Sequence, residues 1–203
     1  MKRFPGVSSA LLLFVVSIGA LAAVSEPSDV VRTTTDKVLE RIKNEKKSLH
    51  ENPEEMYLLV SEMVFPHFDF AIMAKWVLGR HWSETDEETR DAFVEQFRKL
   101  LVGTYATALL NFSDQAITYP PIEQTGRVNT ALVKQQITQP GSATIPVIYR
   151  LHNKSGDWKV FDVSVDGVSL VKTYKASFGS IINNSGLSGL LDSMTSKNQQ
   201  YSQ

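Results

Sequence analysis

The chain has 203 residues, with 21 Lys and Arg against 22 Asp and Glu and a net charge of -1. So even a balance carries no basic footprint for nucleic acid, and no nucleic-acid partner is expected. With no cysteine and only four histidines, neither a disulfide framework nor a structural zinc site is in prospect, so the fold has to rest on its hydrophobic core.

The chain opens MKRFPGVSSALLLFVVSIGALAAVSEP, a basic start at Lys2 and Arg3, an apolar run from Ala10 to Ala20, then small residues. That is the layout of a secretory signal peptide over residues 1 to 22, with Ala20-Leu21-Ala22 as the small-x-small cleavage site. The apolar run is too short for the roughly 20 residues a membrane span needs. Removal of the signal leaves 203 − 22 = 181 residues and, without Lys2 and Arg3, a net charge of -3. Residues 23 to 203 suit a single domain, and a cysteine-free exported chain fits a bacterial periplasm.

Ser28 can cap a first helix, whose apolar positions Val31, Val38, Ile42 and Leu49 recur beside a charged face ending ERIKNEKKSLH. The charge run reads as a solvated face, with a docking surface as the alternative. Asn52, Pro53 and Glu55 mark a second helix start, and Pro66 ends that helix. Asp69 can cap a third helix, FAIMAKWVL, closed by Gly79. Thr85 and Glu88 have capping-box spacing and open the longest helical pattern, which carries no charge from Leu100 to Phe112 and should be buried on most sides there.

From Gln115 the pattern turns to short β-runs, near 115 to 119, 127 to 138, 143 to 152 and 158 to 165, punctuated by Pro120-Pro121, Thr125-Gly126, Pro140-Gly141 and Ser155-Gly156-Asp157. In the last two, the odd positions Ile145, Val147, Tyr149, Leu151, Phe161, Val163 and Val165 form one apolar face of a hairpin. After an Asp166-Gly167 turn, Leu170, Val171, Tyr174, Phe178, Ile181 and Ile182 repeat at helical spacing as far as Asn184 to Gly186. A short helix, LSGLLDSM, and a tail expected to be loose complete the chain. Helices followed by consecutive antiparallel strands predict an α+β fold with helices packed on one face of the sheet.

Three stretches carry a family resemblance: FPHFDFAIMAKWVLGRHW (65 to 82), FRKLLVGTYATALLNF (97 to 112), and YRLHNKSGDWKVFDVSVDGVSLVKTYKASF with GLSGLLDSM (149 to 194). In VLGR-x-W, TYA-x-AL and W-K-V-x-D-V-x-V-x-GVSLV, taken in that order, the chain resembles the MlaC or toluene-tolerance auxiliary family of periplasmic phospholipid carriers. Lys175 stands where that family usually has Arg in a YR-x-x-F segment, and the loops from Pro120 to Gly126 and around Pro140 are individual. The resemblance implies a strongly curved, nuclear-transport-factor-like antiparallel sheet wrapped by helices, with an apolar cavity between them. It implies no cofactor and no catalysis, with a diacyl phospholipid as cargo. It also implies a monomeric shuttle between an outer-membrane lipoprotein-porin complex and an inner-membrane ABC transporter with an MCE-domain subunit, maintaining outer-membrane lipid asymmetry.

A lipid with roughly 30 methylenes gains about 0.8 kcal/mol for each one kept from water, so a soluble carrier must bury both tails. The lining that the resemblance implies comes from Phe70, Met73 and Val77 on the third helix and from Phe97, Leu101, Tyr105 and Leu109 on the longest one. Val147, Tyr149, Phe161 and Val163 add the odd hairpin face, and Val171, Tyr174 and Phe178 the helix after it. Leu101, Tyr105 and Leu109 are expected to face Val147, Tyr149 and Val163. Periodicity alone reads all of these equally well as ordinary core.

One acid stands at a half-buried strand position. Asp162 is expected on the even face with Trp158 and Val160, opposite Arg150 and His152, and to pair with Arg150. The rival functions are a hydrolase or isomerase of the same fold using Asp162, and an adaptor whose apolar faces bind protein. His67 and His81 lack acidic partners at metal-ligand spacing, and Ser169 reads as a helix cap.

Overall fold

The computed structural model describes residues 26–112, 115–121, 123–124, 127–154 and 156–201; the expected signal peptide and the Thr125-Gly126 turn lie outside them. Helix α1 (Pro27–Glu51) buries Val31, Val38, Ile42 and Leu49, as the spacing predicts. Its start differs from the expected Ser28 cap. Pro27 occupies the first turn, where a missing N–H costs nothing, and Glu26 takes the cap position without a side-chain hydrogen bond.

Helix α2 (Pro53–Met63) is capped by Asn52, whose Oδ1 accepts from Glu54 N at 3.2 Å. A 3₁₀ turn at Phe65–His67 leads to α3 (Phe70–Leu78), where Asp69 Oδ1 accepts from Ile72 N at 2.9 Å. Gly79 then turns the chain at φ 57°, a conformation that side chains resist. After the short α4 (His81–Glu84), α5 (Glu87–Leu110) starts one residue later than the expected capping box. Asp86 Oδ1, a charged acceptor, takes Thr89 N at 2.8 Å, while Thr85 Oγ1 turns back to donate to His81 O at 2.6 Å.

The sheet holds β1 (Ala116–Thr118), β2 (Glu123–Gln124), β3 (Thr130–Thr138), β4 (Ile145–Asn153), β5 (Trp158–Val165) and β6 (Val168–Ser169). All pairs are antiparallel, in the order β1-β3-β4-β5-β6, with β2 also on β3. The β5–β6 hairpin turns through Asp166 and Gly167, both at positive φ, as an Asp-Gly turn requires.

Pairing slips between Arg150 and Leu151. Arg150 opposes Asp162, Leu151 opposes Val160, and Phe161 is the extra residue of a β-bulge. Because a one-residue slip exchanges faces, the expected alternation fails at this point. Val160 and Trp158 join Val147, Leu151 and Val163 in one apolar cluster, whereas Phe161 leaves that face and meets Trp76 of α3 edge-on, ring centroids 5.0 Å apart. Asp162 therefore does not share a face with Val160.

Helix α6 (Leu170–Tyr201) breaks its backbone only at Gly186, at φ 71° and ψ 179°. The expected loose tail is helix as well as far as Tyr201, the last described residue. Leu190 and Met194 are buried, and Asn198 Nδ2 donates to the Gln96 backbone O and Oε1 at 2.9 and 2.8 Å, tying the last turns to α5.

The core falls into three clusters. The first lies between α3, α5 and α6, the second joins α1, α2 and α5, and the third joins Val31 of α1 to one face of β3, β4 and β5. Phe65 packs against both the first and the second, and Phe68 against both the first and the third.

Candidate functional site

Eight of the fourteen residues predicted to line a lipid site come together in the helical cluster. Phe70, Met73, Val77, Phe97, Val171 and Phe178 are buried there, with Leu101 and Tyr174 packed against them. Phe97 meets Tyr174 edge-on at 5.2 Å and stacks on Phe93 at 5.7 Å. Burial pushes the Tyr174 hydroxyl up to about 12, with the Thr104 hydroxyl opposing that, so the ring stays neutral. Burial also raises Tyr105, whose hydroxyl lies beside that of Tyr174.

The other predicted residues lie elsewhere. Leu109 packs in the second cluster, and Val147, Tyr149 and Val163 belong to the third. Leu101, Tyr105 and Leu109 thus do not oppose the hairpin as a set. The odd strand face meets α1 instead, because Val31 packs onto Val133, Val147, Leu151 and Val163. Phe161 sits apart from all three clusters, against Trp76 and the His152 ring.

The sequence reading missed three features. The first is the pair Phe65 and Phe68, which packs where clusters meet and had only an aromatic-rich FPHFDF stretch to announce it. The second is a polar network beneath α1. Tyr149 Oη donates to Gln135 Oε1 at 2.8 Å, and Gln135 Nε2 donates to Tyr119 Oη at 3.1 Å and to Thr35 Oγ1 at 3.4 Å. Gln135 is 2 % exposed, and desolvation holds the Tyr149 hydroxyl far above its usual range. The third is a clasp between the 3₁₀ turn and the sheet. Asp69 N donates to Val160 O at 2.8 Å, Asp69 Oδ2 lies 2.9 Å from His152 Nε2, and Lys159 Nζ donates to Pro66 O. His152 resembles half of an acid–base pair, but its Nδ1 has no hydrogen-bond partner among the described residues, so no nucleophile engages it there.

Asp162 is 2 % exposed. Oδ2 accepts from Ser169 Oγ at 2.7 Å, and Oδ1 accepts from Val171 N at 3.2 Å in the first turn of α6. Ser169 Oγ in turn accepts from Lys172 N at 3.2 Å, as a helix cap should. The expected Arg150 contact is present at 3.8 Å, but the closer partners make Asp162 a helix-start anchor first. Among the described residues no group of three or more His, Cys, Asp or Glu is placed to hold a metal ion.

Two surface grooves open elsewhere. One of about 340 Å³ is lined by Lys46, Lys47, His50, Leu110 and Asn111. The other, about 370 Å³, runs from Gly79, Arg80 and His81 to Lys175, Gly179 and Asn183. Of the fourteen predicted residues only Val77 reaches either groove.

Known proteins resemble the chain along most of its length. A family model described as MlaC protein matches residues 32–196. The intermembrane phospholipid transport system binding protein MlaC of Haemophilus influenzae is 28% identical over 196 residues, 95% of this chain and 91% of the relative. Toluene tolerance protein ttg2D of Pseudomonas putida is 30% identical over 165 residues, 81% of this chain and 76% of the relative. A phospholipid-binding protein from Ralstonia solanacearum, solved in complex with a phospholipid, superposes with a TM-score of 0.81 at 28% identity, covering 88% of this chain and all of that one.

Proposed function

Because the chain belongs to the MlaC protein family, we propose that it is a periplasmic phospholipid carrier that buries the acyl tails of one diacyl lipid and moves it between membranes without altering it. The observation that supports this most is the close superposition on a protein solved with a phospholipid bound. The helical cluster adds a physical reason. Phe93, Phe97, Leu100 and Leu101 of α5 and the aromatic faces of α3 and α6 supply the apolar surface that two tails need, a burial on the order of 20 kcal/mol.

In this reading the tails lie along the seam between the helical cluster and the sheet cluster, next to Phe68, and Phe70, Met73, Phe97, Leu101 and Tyr174 line it from the helical side. The Asp69 clasp holds one end of that seam. Export would follow from the signal at residues 1–22. An outer-membrane lipoprotein-porin complex and an inner-membrane ABC transporter with an MCE-domain subunit are the proposed donor and acceptor, the transporter supplying the energy.

An enzyme of the same fold would need a reactive Asp162. With the carboxylate closed off from solvent and both oxygens engaged, the geometry favours carriage over hydrolysis or isomerisation.

A vesicle assay tests the proposal. The purified protein should speed the movement of labelled phospholipid from donor to acceptor vesicles and release neither fatty acid nor lysophospholipid. No acceleration would defeat the carrier reading, and cleavage products abolished by Asp162→Asn would replace it with an enzyme.

A further inference from the structure

Apart from Val77, the residues lining the 370 Å³ groove between the α3–α4 turn and α6 take no part in the lipid reading, although two of the recognisable motif stretches, VLGR-x-W and YK-x-x-F, meet there. Gly79 swings the chain through positive φ and brings Arg80 and His81 to one rim. Lys175 reaches over from α6, its Cε and Nζ 3.4 and 3.6 Å from where a side chain on residue 79 would begin. Lys175, Gly179 and Asn183 follow at i, i+4 and i+8 on one helix face, and the space above Gly179 is empty to 4 Å. The result is a trough with a bare floor, cations at one end and an amide at the other.

The groove has no acidic lining residue. Arg80 Nε donates to His81 Nε2 at 3.5 Å, and His81 Nδ1 pairs with Glu84 at 3.2 Å, but among the described residues neither Arg80 nor Lys175 has a carboxylate within ion-pair distance. Two unneutralised cations stand together on a chain whose net charge is -1, so the positive field is local.

We propose that this trough docks an acidic, extended segment of a partner protein, with Arg80 and Lys175 taking its carboxylates and Asn183 its backbone. Size favours a peptide over a single small anion. From Lys175 to Asn183 the helix rises about 12 Å, which matches about four residues of extended chain. The rim favours a protein over a bilayer, because none of the large exposed apolar side chains, Leu58, Trp76, Val128, Ile145, Val165 and Val168, lines the groove. A contact built on exposed charges is fast and salt-sensitive, which suits a carrier that must leave each partner. Val77 and Leu78 of the helical cluster reach the trough, but Arg80, Lys175 and Asn183 lie outside that cluster, so each reading can fail without the other.

The test uses the full mature chain, 15N-labelled, titrated at low ionic strength with an N-acetylated, C-amidated tetraglutamate peptide. Saturable amide shifts should centre on Gly79, Arg80, His81, Lys175, Gly179 and Asn183. The Arg80→Glu/Lys175→Glu variant should bind about tenfold more weakly while keeping its bound lipid by native mass spectrometry. Arg80→Gln and Lys175→Gln serve as milder variants if the double change disturbs the fold. The proposal is overturned if the peptide produces no saturable shifts, or if they spread equally over Lys43, Lys46 and Lys47. It is equally overturned if inorganic phosphate gives the same shifts at the same midpoint, or if vesicles containing phosphatidylglycerol capture the protein through Arg80 and Lys175.

Discussion

Asp162 and His67 carry the residue-scale consequences. The Asp162 carboxylate receives Ser169 Oγ and Val171 N, so one buried acid joins β5 to the first turn of α6. Asp162→Asn keeps the shape and removes the charge, which weakens charge-assisted hydrogen bonds worth about 1.5–3 kcal/mol. Urea denaturation should show a loss of that order, and an unchanged midpoint would mean that Asp162 is not the anchor described. His67 behaves differently. Burial comes first and Lys159 and Lys37 follow in holding its pKa below the usual 6.5. The unfolded chain then binds the proton more readily than the folded one, so stability at this site falls as pH drops below 6.5 and levels off beneath the depressed folded value. His67→Gln removes that contribution, and between about pH 7 and pH 5 its urea midpoint should decline less than that of the wild type. Parallel declines would contradict the assignment.

At the scale of elements, α6 holds the main departure from expectation. Its last turns lack an obvious apolar stripe, since Asn198 stands where a core residue would complete the Leu190, Met194 and Tyr201 spacing. The Gln96 oxygens that accept from Asn198 Nδ2 lie 102 positions away, and nothing local announces them. Tyr201 closes the same end. Its ring fills the notch left by Gly103 on α5, where an added methyl group would sit 2.1 Å from a ring carbon, and its hydroxyl lies 3.4 Å from Thr104 Oγ1. Gly103→Ala should therefore displace Tyr201 and speed amide hydrogen exchange in residues 195 to 201 while the N-terminal half of α6 stays protected. Uniform protection in the variant would show that the Tyr201 contact is incidental. Where a local signal was enough, the reading held: Asn52, Asp69 and Ser169 cap the helices they were expected to cap, and β5 spans the residues expected. The bulge at Phe161 was not legible, because strand alternation assumes a register that only the neighbouring strand decides. The clasp from Asp69 to His152 was hidden for the same reason, its two ends lying 83 positions apart.

At the scale of the whole molecule, three apolar clusters meet at Phe65 and Phe68 beside a sheet fastened by polar contacts at one edge. Cargo carriage asks for that division: one part has to move relative to another for a lipid to enter, while the fold as a whole persists. Periodicity cannot separate core residues from the lining proposed above, since both uses demand the same spacing, and a seam between clusters is a property of the packed molecule. The central claim is that this chain carries phospholipid. A native mass spectrum of the mature protein, purified without detergent, tests it most directly. The account predicts a species heavier than the bare chain by the mass of one diacyl phospholipid, with head groups matching those of the host membrane. A spectrum showing only bare protein would contradict it.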